Sequence, residues 1–203
     1  MSLFPKNPTA GQLLQSNAPG VTVDESFIAH LQIAAALATV ASTTGIKAAV
    51  TDNGAQQVIT TGITQPSVPR NITATAGGIA TDIKAIQVII AGTDYAGAAI
   101  SETLPAFTLD TAGSVTGSKA FKTVTSITIP AHDGVGATTA IGFGEKLGLP
   151  HKLPYNTVLF AAFDNTKEAT PPTVAVSASV LADNTVDLNT ALNSKIVDAY
   201  YVV

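Results

Sequence analysis

The three histidines of this sequence are the side chains best suited to metal binding or to acid–base catalysis. No two of them, His30, His132 and His151, share the i, i+4 spacing or the H-E-x-x-H pattern of a helical zinc site. His132 precedes Asp133 and Gly134 in a predicted turn, where polar side chains mostly bond the backbone. His30 falls on the polar face of a predicted helix. We therefore expect no metal site.

Carboxylates that could act as a catalytic pair are scarce, because the chain has only four glutamates. Glycoside hydrolysis needs two carboxyl groups about 5–10 Å apart in a cleft. On the sequence alone, Glu102 could form such a catalytic pair with Glu145 or with Asp94. Glu102 lies in a predicted alternating strand, where an ion pair facing solvent or an interface is the simpler interpretation. A cell-wall hydrolase acting through Glu102 is therefore the least favoured functional hypothesis.

Three glycine-rich segments resemble catalytic or phosphate-binding loops only in part. Residues 113–117 place Ser114 outside the serine position of the G-x-S-x-G elbow. Residues 134–139 and 142–146 complete neither G-x-x-x-x-G-K-[ST] nor G-x-G-x-x-G. Glycines in strand-rich chains usually mark bulges and tight bends. We predict no catalytic residue and no cofactor.

The composition excludes several classes of binding protein. Of the 203 residues, 12% are charged and 46% are apolar, and the formal net charge is −4. Cysteine is absent, which excludes disulfides and thiolate chemistry. Arg70 is the sole arginine, so the clustered basic side chains that bind nucleic acid are missing. The most apolar window, Phe27 to Ala41, is shorter than the about 20 residues that cross a bilayer. We expect neither nucleic acid nor membrane as a partner.

The N-terminal part of the chain predicts an arm followed by a helix. Residues 1–21 are rich in proline and glycine, which favours an extended arm. Residues 22–45 predict the one α-helix, because Thr22 and Glu25 have the spacing of a capping box and Gly45 is a natural stop. This helix is apolar on most faces, which indicates that it is buried.

Residues 46–203 predict a β-rich domain, because threonine, valine and isoleucine alternate in short runs separated by Asp, Asn and Gly. Turn signals at Asp52-Asn53-Gly54 and at residues 92–97 predict two hairpins. The fold class is therefore mainly β, an antiparallel β-sandwich or barrel with an N-terminal arm and one α-helix. The predicted strands are 48–50, 58–61, 83–91, 99–104, 121–129, 158–163, 174–180, 185–188 and 196–203.

Four stretches together resemble small virion structural proteins of tailed bacteriophages, of the kind that decorate the head shell. They are Val68–Thr75, Gly92–Leu104, Phe121–Ile127 and Gly142–Pro150. The resemblance covers about Lys47 to the C-terminus. It implies a β-rich domain displayed in many copies on the particle and no catalytic residues.

The leading hypothesis is a non-enzymatic capsid decoration protein of the virion, assembled in the host cytoplasm. Its partners would be the major capsid protein and further copies of itself, in a trimer or another symmetric homo-oligomer. The alternative is a tail, neck or fibre component that binds host glycans. The loops at Asn53, Tyr95 and Tyr155–Asn156 would then carry the sugar site.

We expect the arm and the helix to contact the shell or sister subunits, although the helix could instead cap the open end of its own β-domain. The side chains predicted for this interface are apolar and come from both segments: Phe4, Leu13, Phe27, Leu31, Leu37 and Val40.

Overall fold

The structure, a computed structural model, describes residues 13–15, 22–24 and 26–203. It consists of strands joined by turns, with two short 3-10 helices at Ala80–Asp82 and Leu181–Asp183. The strands are β1 (Leu13–Gln15), β2 (Thr22–Asp24), β3 (Ile28–Ile33), β4 (Ser42–Thr51), β5 (Gln57–Ile59), β6 (Arg70–Gly78), β7 (Ile89–Thr93), β8 (Ala99–Thr103), β9 (Gly113–Phe121), β10 (Thr123–Ile129), β11 (Ala137–Gly148), β12 (Val158–Phe163), β13 (Thr166–Lys167), β14 (Thr173–Ala175), β15 (Thr185–Asp187) and β16 (Val197–Val202).

The strands form antiparallel sheets, which confirms the predicted class, mainly β with antiparallel pairing. One sheet has the order β5-β10-β7-β8, and another has the order β13-β12-β16-β3. The largest described sheet has the order β14-β15-β11-β6-β9, with β4 also paired to β11. The remaining pair, β1 with β2, joins Leu13 to Asp24.

Strand β11 is the centre of the largest sheet. It pairs with β6 along most of its length, from Ala137 opposite Gly78 to Leu147 opposite Arg70. Its other edge pairs with β4 near its start and with β15 at its end. Gly142 permits the close crossing of β4, because a Cβ at this position would collide with the backbone carbonyl of Ser42.

The described residues form two apolar cores, and β11 contributes to both. Ile141 is buried in the first core, and Leu147 is buried in the second. The first core joins the largest sheet to the β5-β10-β7-β8 sheet through Ile72, Ile90, Phe121 and Ile127 among others. The second joins the end of β11 and β15 to the β3, β12 and β16 strands through Leu31, Val186, Val197 and Tyr201 among others.

The helix predicted over residues 22–45 is wrong, because the described part of this stretch contains no α-helix. Residues 28–33 form β3, in which Leu31 and Ile33 are buried while His30 and Gln32 face outward. That apolar–polar alternation suits one buried sheet face. Pairing with β16 supplies the partner that an isolated strand lacks. The alanines that follow form one turn, in which Ala38 N–H donates to Ala34 O at 3.2 Å.

The predicted arm, residues 1–21, lies outside the described residues except for Leu13–Gln15, which forms β1. Phe4 also lies outside them. The predicted stop Gly45 lies within β4, where a Cβ would come within 2.5 Å of the Phe143 ring. Gly45 therefore permits a close strand contact instead of ending a helix.

Of the two predicted hairpins, one is confirmed and the other does not form. The β7–β8 hairpin is confirmed, with Thr93 opposite Ala99 across the turn. The Asp52–Gly54 turn does not close a hairpin, because β4 pairs with β11 and β5 pairs with β10. A bulge between Val124 and Ser126 also breaks the predicted alternation of β10, so that Val124 is buried while Thr125 is exposed.

Arg70, at the start of β6, is completely buried and is held by backbone acceptors. Its Nε donates to Gly144 O at 2.8 Å, and its Nη1 donates to Thr39 O at 2.7 Å. The guanidinium carbon lies 4.5 Å from the centroid of the Phe143 ring, a cation–π distance. Burial lowers the pKa of Arg70 to about 10, while Glu145 acts to raise it. The side chain therefore stays charged at neutral pH and clamps the β3–β4 connection to β11.

We expect Arg70→Lys to lower the free energy of unfolding by about 2–4 kcal/mol, because an ammonium group cannot reproduce the planar set of donors at a buried site. Urea denaturation measures this difference. Lys119→Arg, a change at a partly exposed side chain of β9, is the matched control and should leave stability within about 0.5 kcal/mol. Equal stability of both variants would contradict the clamp.

Candidate functional site

His132 is buried in a hydrogen-bonded network that serves the fold. Lys84 N–H donates to its Nδ1 at 3.1 Å, so the ring proton is on Nε2, which lies 2.9 Å from Thr139 Oγ1. Asp52 accepts from the backbone N–H of His132 at 3.0 Å and does not bond the ring. Burial lowers the pKa of His132, opposed by the charges of Asp52 and Asp133. Because the carboxylate does not orient the imidazole, this arrangement lacks the geometry of a catalytic triad.

His30 and His151 also have structural partners. His30 Nε2 lies 2.7 Å from the buried carboxylate of Asp198, which also accepts from Gln32 at 3.0 Å. The His30 ring stacks on Tyr200, which in turn stacks on Phe160. The rings therefore cover one another's faces, and a sugar or base cannot stack between them. His151 Nδ1 lies 2.7 Å from the hydroxyl of Tyr201, whose pKa is raised to about 12 by burial.

The carboxylates considered for glycoside hydrolysis are engaged in separate parts of the fold. Glu102 accepts hydrogen bonds from the backbone N–H of Ser118 at 2.7 Å and of Lys119 at 3.3 Å, and so joins β8 to β9. Asp94 accepts from Ala98 N–H at 2.9 Å and closes the β7–β8 turn. Glu145 instead faces Ala41 and Leu192. Among the residues that the structure describes, no three His, Cys, Asp or Glu side chains form a metal-binding group.

The predicted interface side chains are dispersed. Leu37 and Val40 lie in the β3–β4 connection and are 43% and 58% exposed. Leu31 is buried in the second core. Phe27 is half-buried, and its backbone pairs reciprocally with Val203 at 2.9 Å. The side chain of Leu13 lies outside the described part of the chain.

A surface cleft brings Leu31 and Leu37 together. This Leu37 cleft has a volume of about 180 Å³. Apolar side chains from β3 and from the segment before β6 form most of its wall, and the Tyr95 turn closes one side. The lining residues are Leu31, Gln32, Ile33, Leu37, Val68, Pro69, Tyr95 and Gly148. A cleft of this size and character accepts one large apolar side chain.

A second cavity, of about 290 Å³, lies on the outer face of the largest sheet. We call it the hydroxyl pocket, because five of its lining side chains carry hydroxyl groups: Ser42, Thr43, Thr73, Ser114 and Thr116. Asn71 fixes the floor, donating to Gly117 O at 3.2 Å and accepting from Lys146 N–H at 3.1 Å. Phe143 forms an apolar part of the wall.

Charged groups complete the hydroxyl pocket. Glu145, Lys146 and Asp187 line it. Burial raises the pKa of Asp187, Lys146 acts to lower it, and Glu145 adds to the increase. The carboxylates of Glu145 and Asp187 are therefore close enough to influence each other, and the lysine offsets only part of their charge.

One indirect signal for the hydroxyl pocket is present in the sequence of β6. Asn71, Thr73 and Thr75 are polar at every second position of β6, which places them on one face of the strand. The same residues formally include a glycosylation sequon at Asn71. The Asn71 side chain is completely buried, so it is inaccessible to a glycosyltransferase in the folded protein.

A scan against protein-family models finds no match, and searches of curated proteins and of solved structures return no significant similarity.

None of the helices in the described ranges has the length and apolar character required to cross a membrane.

We expect His132 to make the stability of the protein depend on pH. Because the folded state lowers the pKa of His132 below its ordinary value of 6.5, the unfolded chain binds the proton more tightly. The stabilising contribution is present above pH 6.5 and is lost as the pH falls from there towards the folded-state pKa. Urea denaturation between about pH 7.5 and pH 5 should show this loss.

The pH dependence should be flatter in His132→Asn, which retains a side-chain acceptor near Lys84 N–H but does not titrate. Thr139→Val is the control, because it removes the Nε2 partner and keeps the titrating ring. This variant should be less stable at every pH yet keep the wild-type slope. An unchanged slope in His132→Asn would contradict the assignment.

Proposed function

We propose that this chain is a non-enzymatic structural protein of a tailed-bacteriophage virion that decorates the head by binding the major capsid protein shell in many copies. Its localisation would be the virion, assembled in the host cytoplasm. The antiparallel β fold is compatible with this role. We place the protein in the sandwich or barrel architecture that its pattern of short strands predicts.

The Leu37 cleft is the observation that carries the proposal. The exposed Leu37 lines it, and the exposed Val40 follows three residues later in the same connection, so one contact could bury an apolar anchor together with these side chains. Contacts of this kind contribute most of the energy of protein interfaces, because a central apolar side chain is removed from water. Leu31 would take part from the cleft wall, and the shell would supply the anchor.

The use of polar groups also supports a structural role. The side chains of His132, Glu102 and Asp52 each accept a backbone hydrogen bond from a neighbouring segment, and Asp94 accepts one within its own turn, so all four take part in holding the fold. The stretches that carry the phage resemblance include residues 70–75 of β6 and residues 142–148 of β11, in the paired centre of the largest sheet. These stretches therefore specify much of the framework, and they also supply Val68, Pro69, Tyr95 and Gly148 to the wall of the Leu37 cleft.

Edge strands would help many copies of the protein to pack side by side on a shell. Of the described strands, β3 ends the sheet that contains β16, and β5 ends the sheet that contains β10. Edge strands offer unpaired backbone groups to a neighbour. A trimer or another symmetric homo-oligomer would use such edges or the apolar side chains beside them.

We expect Leu37→Asp and Val40→Asp each to weaken binding to decoration-free heads at least about 10-fold, because a carboxylate would be desolvated at the contact. Co-sedimentation of the purified full chain with heads measures the affinity. Val135→Asp is the matched control, since Val135 is 64% exposed in the β10–β11 turn. Wild-type affinity of both Leu37→Asp and Val40→Asp would reject this surface, and failure of the wild-type chain to bind heads would reject the decoration role.

A further inference from the structure

We propose that the hydroxyl pocket binds one neutral sugar unit, such as a hexose residue of a glycan. The site is separate from the loops at Asn53, Tyr95 and Tyr155, where the alternative hypothesis expected sugar binding. The proposal holds wherever in a virion the protein resides. The inference rests on the polar groups of the pocket, on their unused hydrogen-bonding capacity and on its size.

The first argument is the unused bonding capacity of Thr73. Its Oγ1 is buried and has no hydrogen-bond partner among the described residues. Thr73 lines the pocket and is paired with Thr116 of β9, which lines it too. A buried hydroxyl without a partner costs free energy, and a ligand that supplies a donor or acceptor recovers it. Ser114, by contrast, already shares a 2.7 Å hydrogen bond with Thr75.

The second argument concerns the carboxylates. Glu145 accepts only long bonds, from Ala41 N–H at 3.5 Å and Leu192 N–H at 3.3 Å. Asp187 accepts none from side chains or backbone in the described ranges. Carboxylate oxygens are strong acceptors for hydroxyl donors. Lys146 adds a donor beside them, so the pocket offers both acceptors and donors, as the hydroxyl groups of a sugar require.

The third argument distinguishes a sugar from other ligands. A bound anion would meet two carboxylates, whereas a cation would meet the ammonium group of Lys146, which also lines the pocket. The Phe143 ring and the threonine methyl groups form an apolar surface suited to the C–H face of a sugar ring. The volume of about 290 Å³ equals that of roughly ten water molecules at about 30 Å³ each, which leaves space for one sugar ring.

The scaffold holds this site open before a ligand arrives. Arg70 fixes Phe143 from the protein side and anchors the segment that leads into Ala41–Thr43, which forms one wall. Asn71 fixes the floor through two hydrogen bonds to backbone groups. A preformed site loses less conformational entropy on binding.

The test is a titration of the isotope-labelled full chain with the methyl glycosides of glucose, galactose, mannose and N-acetylglucosamine, followed by amide NMR. We expect at least one glycoside to shift the amide signals of Thr73, Thr116 and Gly144. Thr73→Val should weaken binding about 2–10-fold, and Asp187→Asn should weaken it about 10-fold or more. Thr103→Val, on the exposed face of β8, is the control and should bind as the wild type does.

Thr73→Val is almost isosteric and removes an unpartnered hydroxyl, so thermal melting should show that it remains folded. If none of the four glycosides shifts the pocket signals, the proposal is overturned. It is also overturned if both pocket variants bind like the wild type, or if calcium chloride alone produces the same shifts, which would identify a cation site. None of these outcomes depends on binding to heads, so the decoration role is tested separately.

Discussion

The burial of the Arg70 guanidinium is the constraint on which the surface features depend. A charge removed from water must find its polar contacts within the protein. Arg70 finds them at the carbonyl oxygens of Thr39 and Gly144 and at the Phe143 ring, while its Nη2 has no hydrogen-bond partner among the described residues. Both candidate sites lie beside this cluster, because Leu37 precedes Thr39 in the chain and Ala41–Thr43 follow it. The β3–β4 connection is thus shaped by a single internal cation.

Part of the β-sheet structure was predictable because its signals are local, but β6, β9 and β11, which form the centre of the largest sheet, were not among the predicted strands. Val158–Phe163 was predicted with the observed bounds of β12, and the turn at residues 92–97 marked the β7–β8 hairpin. The helix prediction for residues 22–45 was wrong because it relied on the high apolar content of Phe27 to Ala41. The alternation of Leu31 and Ile33 with His30 and Gln32, which is typical of a strand, was given less weight. The partner of this strand, β16, lies near the other end of the chain, and no local pattern indicates such a pairing.

The cavities were less predictable than the strands, because each is assembled from distant segments. The hydroxyl pocket draws on β4, β6, β9, β11 and β15, and its residues look like ordinary strand threonines and serines in the sequence. The burial of Arg70 was also not predictable, since the sequence shows only that this residue is the sole arginine. The alternation of polar residues assigns Thr73 to one face of β6. The cavity on that face becomes visible only in the structure, where β4 crosses close to Gly142.

The shared strand β11 has a mechanical consequence. Its 12 residues extend from one apolar core to the other, and β6 accompanies it over most of that distance. Separating either core from β11 would also remove backbone hydrogen bonds of β11 that support the other core. The two halves should therefore lose their order in a single cooperative transition, as one folding unit, with neither half persisting alone at equilibrium.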